Sequence, residues 1–531
     1  MRIFCFAFAA TFLAASAAYA ADGDLARAYS ISGGEDGVNE VGAVGYRCEA
    51  TESPSCAAVE PCSCGDGISC GEAVGGAGCC AACGKTRAAA KPNPCAESHK
   101  GVFYANDFSY LKDPCYNGAC LGDSLKWMPV GECGQWGTLD VGGQLRLRYH
   151  HEEGMGRQPG RSGFEDTTND FLLTRMRLYT DWKASEIFRL YVEGIVADET
   201  GNSLYLPRPI DVNYGDLLNA FVDVTMTDEF KLRVGRQELL YGNQRTVSPL
   251  DWANTRRTFE GIRGLYKSGD WAIDGFYTNF VPVVDDQFDE ADYDQSFYGL
   301  YSTYTESKTR SWDFYYLGYD DERIGVTPAA SGDFSLHTFG ARVWGTAHEK
   351  WLYEFEGAYQ VGRQSGLDQD HNAGFTTAGL GRKLDKMAWD PTLWVYFDYA
   401  SGDYPGGDFN RYNQLFPLAH KYLGFIDAVA RSNVVSPNVL LTMKPRDKWD
   451  VLLWYYYFGA VTGSDVVPGV AVPSNQVAGQ KDFGSELDLI AKYAISARSN
   501  ILFGYSRLWA GSKIIGTNDA EFFYSQWELN F

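Results

Sequence analysis

The chain has 531 residues, 15% of them aromatic, and a net charge of −22. Such acidity excludes nucleic acid as a partner, since phosphate binding draws on basic surface. Its 34 Tyr, 31 Phe and 14 Trp exceed the needs of a soluble core and suit aromatic girdles at two membrane interfaces.

Residues 1–20, MRIFCFAFAATFLAASAAYA, join Arg2, an apolar run and Ala18-Tyr19-Ala20, the pattern of an export signal cut after Ala20. No run of 18 or more apolar residues follows, which excludes membrane-spanning helices and leaves an exported soluble protein or a closed barrel. Of 13 cysteines, all but Cys5 lie between Cys48 and Cys133. Residues 21–135 therefore form a Cys-rich segment of little regular structure, stapled by disulfides or flexible. A metal held by Cys79, Cys80 and Cys83 is the alternative, but Cys80 and Cys83 make a lone C-x-x-C pair. No metal or cofactor is expected.

From residue 136 to Phe531 the pattern becomes strand-like. In VGGQLRLRY, Val141, Leu145, Leu147 and Tyr149 share one face, and Gln144, Arg146 and Arg148 the other. FLLTRMRLYTDW opposes Leu172, Met176, Leu178 and Trp182 to Arg175, Arg177, Tyr179 and Asp181. Comparable blocks recur at 188–197, 219–224, 230–237, 259–266, 271–280, 296–303, 312–319, 337–345 and 351–361, then weakly around Phe375 and 392–399. Others follow at 439–444, 449–458, 486–493, 500–508 and 521–531. About eighteen strands, at about 22 residues per strand and connection, predict an all-β, transmembrane, antiparallel up-and-down barrel with an aqueous bore. The last block, EFFYSQWELNF, sets Phe523, Trp527, Leu529 and Phe531 against Gln526, Glu528 and Asn530. A barrel needs such a strand to close on the first.

Alternation assigns Arg146, Arg148, Arg175, Arg177, Arg189, Lys231, Arg233, Arg263 and Arg342 to the bore, with Glu193, Asp223, Glu354, Glu356, Glu486 and Asp488. Arginine is tolerated there because it meets water, whereas at the lipid midplane it costs roughly 2–4 kcal/mol. Bases concentrate early and acids late, so the walls should differ in sign. Arg236 is also expected among the pore-lining residues, although Arg236, Arg245, Arg256 and Arg257 sit where register is ambiguous and fit lumen, loop or rim. Asp251, Trp252 and Asn254 suit a turn at the mouth, and His150 and His151 suit a rim after a strand end. The unpatterned stretch 409–436, with Pro417, Ala419 and His420, fits either a constriction or a surface loop. Asp285 to Gln295 reads as an acidic external loop without EF-hand spacing.

RVGRQELLYGNQR (233–245), DWANTRRTFEGIR (251–263), FDYASGD (397–403), FNRYNQLFPLAHKYLGFID (409–427) and FLLTRMRLYTDW (171–182) together resemble the alginate-export family of outer-membrane channels. The resemblance covers about 139–531 and omits the Cys-rich segment. It implies an 18-stranded polysaccharide pore. Rings of arginine select anions by field, and a guanidinium matches a carboxylate bidentately, so a polyuronate could pass between them.

The expected protein is thus an outer-membrane channel for anionic solutes or an alginate-like polysaccharide. It would be a lipid-embedded monomer whose Phe531 strand is recognised by the barrel-insertion machinery. Two alternatives stand beside it: a general diffusion porin, in which Arg–Glu ladders only neutralise each other, and a surface structural protein anchored by its barrel. With seven histidines and no G-x-S-x-G, H-E-x-x-H or phosphate loop, no enzyme is expected.

Overall fold

The structure, a computed structural model, describes residues 94–113, 116, 118, 120–155, 167–202, 208–323, 333–469, 476–514 and 519–531. The signal segment and the cysteines from Cys48 to Cys83, with the C-x-x-C pair, lie outside the described residues, as does Cys115.

A two-residue strand, β1 (Met128–Pro129), leads into β2 (Thr138–Glu153), β3 (Thr168–Lys183), β4 (Phe188–Thr200), β5 (Asn213–Thr225), β6 (Phe230–Gln237) and β7 (Thr258–Ser268). Then come β8 (Trp271–Val281), β9 (Asp292–Ser307), β10 (Arg310–Asp321), β11 (Phe334–Ala347), β12 (Trp351–Gln364) and β13 (Gln369–Lys383). The last are β14 (Thr392–Ala400), β15 (Val434–Met443), β16 (Trp449–Gly459), β17 (Asp482–Ala494), β18 (Ser499–Ala510) and β19 (Ala520–Asn530).

Each strand from β2 onward pairs antiparallel with its sequence neighbours, and β19 closes on β2 from Glu521↔Glu153 to Asn530↔Gln144. The result is a closed barrel of 18 strands plus the short β1. Closure satisfies every strand edge, the condition for β-structure in lipid. The alternation predicted from sequence sorts the faces. Leu172, Val234, Ile262, Leu300, Phe339, Val395, Tyr455 and Phe503 are exposed outside, while Arg146, Arg175, Tyr191, Trp394, Tyr456 and Tyr524 are buried inside.

Two expectations about local structure are corrected. The block around Phe375 is a full 15-residue strand, because Ala373, Gly374, Ala378, Gly379 and Gly381 weaken its own pattern while β12 and β14 impose the register. His150 and His151 do not follow a strand end; they lie within β2.

Turns of two to eight residues join the strands at the barrel end that carries Phe531, and, apart from the short 365–368 turn, the longer connections lie at the other end. Two of these, 238–257 and 401–433, fold into the bore and meet there. Val247 bridges Phe416 in parallel, Ser248 N donates to Phe416 O at 2.8 Å, and Leu418 N donates to Gln244 O at 2.9 Å. The stretch expected from 409 onward either to narrow the bore or to lie on the surface thus folds inward, and its last three residues belong to β15. Phe416 packs on Phe259, Phe280, Phe297 and Tyr319, so the hydrophobic core sits inside the cylinder. The described residues between 94 and 127 enter from the turn end, with Cys95 and Cys120 joined by a disulfide.

Candidate functional site in the bore

On the inner faces of β2 and β3, Arg146, Arg148 and Arg175 stand side by side. Arg146 donates to the carbonyls of Asp251 (2.7 Å) and Ala253 (3.1 Å), and Arg148 to Trp252 O (2.8 Å) and Gln526 Oε1 (2.9 Å). Arg175 reaches Gln144 Oε1 (2.7 Å) and Asp251 Oδ1 (2.8 Å). Among the described residues, one carboxylate, Asp251, pairs with this triplet, and Arg256 shares it. Asp251, Trp252 and Asn254 therefore belong to a loop held inside the barrel, where strand arginines bind its carbonyls, rather than to a turn at the mouth. Trp252 lies between the Arg148 guanidinium at 3.8 Å and the His420 ring at 3.4 Å. His150 is a buried member of this cluster, stacked near Trp252, and not a rim residue; only His151, paired with Asp170, reaches solvent.

The other inward arginines are matched to acids. Arg177 pairs with Glu193 at 2.7 Å, and Arg256 with Glu238. Arg189 pairs with Asp181 and Asp223, and Arg233 grips Asp223 through two bonds of 2.7 and 2.9 Å. Arg263 pairs with Asp274, while Lys231 is half-buried on β6. On the opposite wall Arg245 bonds Glu354 (2.9 Å) and Glu356 (3.0 Å), and Arg342 bonds Glu354 (2.9 Å) and Asp313 (3.0 Å). Loop 238–257 thus touches β2, β3 and β12, which spans the cylinder. The expected contrast of basic and acidic walls holds only in part, because Asp181, Glu193, Asp223 and Glu238 neutralise most early arginines. Among the described residues, Glu486 and Asp488, on the late wall, form no such ion pair.

Arg236 is a correction. It shares a face with the lipid-side Val234 and pairs across the sheet with Glu260, which shares a face with Ile262. It lies outside near the loop end, where Asp289 O accepts its Nη2 at 2.7 Å. In the acidic loop Asp289 is buried against Asp216 and Asn213, and Asp292 to Gln295 belong to β9 rather than to the loop. Of the other ambiguous arginines, Arg245 and Arg256 point into the bore network and Arg257 ties the two inner loops through Ser248 O and Pro417 O, both at 3.3 Å.

The described residues between 94 and 127 cap this machinery from the turn end. Phe103 lies under Arg177 at 3.9 Å, and Tyr104 beside Arg233 at 4.4 Å. The carbonyls of Gly101 and Tyr104 accept from Arg256 (2.8 Å) and Arg189 (2.7 Å), and Tyr104 donates to Glu238 O at 2.7 Å. Buried Arg498, in the turn after β17, clamps Ser98 (2.5 Å), His99, Tyr110 (3.0 Å) and Asp123 (3.2 Å). Sequence alone did not single out Phe103, Tyr104 or Arg498. The aromatic, weakly charged GVFYANDFSYL was the available signal.

Enclosure between Phe103 and Phe108, with Arg498 and Lys126 nearby, holds the His99 pKa well below its ordinary 6.5. Once displaced, His99 recovers the ordinary value, so seating of the segment is fully favoured above pH 6.5 and weakens as pH falls below it. Acidification from pH 7.5 to 5 is expected to increase protease cleavage of residues 94–127. His99→Gln should flatten that dependence; an unchanged profile would refute it.

The family model for alginate export matches residues 138–525. No curated protein matches the chain. Similar solved structures include Acinetobacter baumannii OccAB3 (TM-score 0.52, 11% identity, covering 74% of this chain and 100% of that one). The outer membrane protein OprD from Pseudomonas aeruginosa (0.51, 12%, 74% and 93%) and Pseudomonas aeruginosa OpdQ (0.52, 11%, 74% and 99%) are alike in fold. Family and fold are those of channels rather than enzymes. With a closed barrel, a charged interior and a family match over nearly all of its strands, the chain belongs to the alginate-export family of outer-membrane channels.

Proposed function

We propose that the barrel conducts anionic solutes, with a polyuronate-type polysaccharide as the extended case, along the arginines of its inner wall once residues 94–127 and the inner loops shift. The observation that carries this reading is the Arg146–Arg148–Arg175 triplet, whose donors go mainly to loop carbonyls and side-chain amides rather than to carboxylates. A carboxylate can replace a carbonyl at a guanidinium with a stronger, bidentate bond, and a row of such grips passes a polyanion if each stays weak. The matched pairs Arg233–Asp223 and Arg342–Asp313 contribute wall rigidity instead. Arg177, Arg189 and Arg263 belong to that second group, as do Glu193, Glu354 and Glu356.

We further infer that the barrel is a monomer in lipid and that β19 with the following Phe531 is the segment the insertion machinery reads. Support comes from the pairing of β19 on both edges and from the mutual Phe531–Gly143 backbone bonds of 2.9 and 3.0 Å.

The test is reversal potential and polymer block in planar bilayers, using the chain without residues 21–126. Arg146→Gln with Arg148→Gln is expected to lower anion-over-cation permeability several-fold and to weaken block by a polyuronate. A parent channel that is indifferent to polyuronate would instead be a general diffusion porin.

A further inference from the structure

Glu486 and Asp488 stand two residues apart on the inner face of β17, both fully buried at 0% exposure. Ile426 of the 401–433 loop donates its N–H to Glu486 Oε1 at 2.9 Å. Among the described residues the other three carboxylate oxygens, Glu486 Oε2 and Asp488 Oδ1 and Oδ2, make no well-formed hydrogen bond, although the two carboxyls, the Phe425 N–H and Ser506 lie close enough to one another to interact. Ser506 Oγ, on a fully buried residue that the register places directly across from Asp488 on β18, makes none either. Cross-strand partners point to the same side of a sheet, so all four oxygens share one inner patch.

Around them the sheet supplies Trp454 and Tyr456 from β16 and Leu508 from β18. Among the described residues no lysine, arginine or histidine forms an ion pair with either acid, and His420 is paired with Asp427 at 2.9 Å. Two carboxylates in such surroundings need compensation, because an isolated buried charge costs far more than the marginal stability of a fold. One shared proton leaves a net charge and several empty acceptors. A hard divalent cation cancels both charges and is ligated by all four oxygens, with water or loop carbonyls completing a shell of six to eight.

We propose that Glu486, Asp488 and Ser506 form a binding site for a divalent cation of the calcium and magnesium class, set between β17, β18 and the 401–433 loop. Gly424 admits the loop backbone to this patch: its φ is +89°, and a Cβ there would sit 2.4 Å from Glu486 Oε2. A cation at this place fastens the loop that crosses the bore to the wall, which gives the ion a structural role next to the path.

Terbium is the probe, since it takes calcium sites and its emission is excited by energy transfer from a neighbouring Trp454. With the purified full chain in detergent, the expected result is saturable, Trp-sensitised emission that calcium displaces. Glu486→Gln with Asp488→Asn should abolish it, and Ser506→Ala should weaken terbium binding several-fold. Asp289→Asn, in the acidic loop, should leave it unchanged. Calcium should also raise the melting temperature of the parent but not of the double variant, whose folding is checked by its heat-modifiable gel mobility. Emission that is absent in the parent, or equal in parent and double variant, would overturn the site. The buried pair would then be held neutral by protons.

Discussion

Removal of residues 21–126 is expected to raise single-channel conductance several-fold, the largest functional change that any one alteration should produce. An 18-stranded cylinder is wide enough for an aqueous bore. Here the turn end is occupied by a segment whose aromatic rings cover Arg177 and Arg233 and whose carbonyls accept from Arg189 and Arg256. These contacts fill the turn end of the bore, so the segment obstructs the path to the Arg146–Arg148–Arg175 row rather than competing for that row itself. The inner loops remain after deletion, so the gain should be partial, and it should appear as longer open dwell times as well as larger current. Arg498→Ala is the gentler variant. It frees the clamp on Ser98, His99, Tyr110 and Asp123 while leaving the chain whole, and an intermediate rise in open probability is expected. Equal conductance in the full chain, the deletion and Arg498→Ala would mean that the segment is no obstruction.

Arg245→Met should cost roughly 3–5 kcal/mol, the usual consequence of stranding buried charges. Arg245 reaches from loop 238–257 to Glu354 and Glu356 on β12, and Arg342 already serves Glu354 and Asp313. Without Arg245, one guanidinium faces three buried carboxylates. Urea unfolding in a defined lipid, followed by loss of the compact gel band, measures the cost. Combining Arg245→Met with Glu356→Gln should recover part of it by removing one stranded charge. Arg363→Met provides the contrast. Its partners Asp368 and Asp370 are solvent-exposed, and exposed pairs contribute at most about 1 kcal/mol. Similar losses for both arginines would show that the inner network is not desolvated.

The barrel was legible because its physics is local. Lipid outside and a polar interior impose a two-residue rhythm, and a turn follows each strand, so β2, β3 and β19 could be read from short stretches. The inward assignment of Arg146, Arg175 and Glu354 came from that same rhythm. Arg236 failed the reading because it lies near Gly235 at the strand end, in the stretch where register was ambiguous. His150 reads as a rim residue in sequence because the alternation of VGGQLRLRY stops at Tyr149, whereas cross-strand pairing carries β2 on to Glu153.

Nothing local could reveal what fills the cylinder. Arg146 meets the carbonyls of loop 238–257 more than 100 residues away, and Arg498 meets Ser98 across 400. Such pairings depend on curvature and closure, which bring distant segments to the same depth of the bore. By itself the sequence determined that strands alternate greasy and charged faces and that the last one can close on the first. Only the tertiary structure decided which arginines are neutralised, which loops cross the interior and that residues 94–127 occupy it. A two-residue period encodes side, whereas depth and partnership are properties of the assembled cylinder.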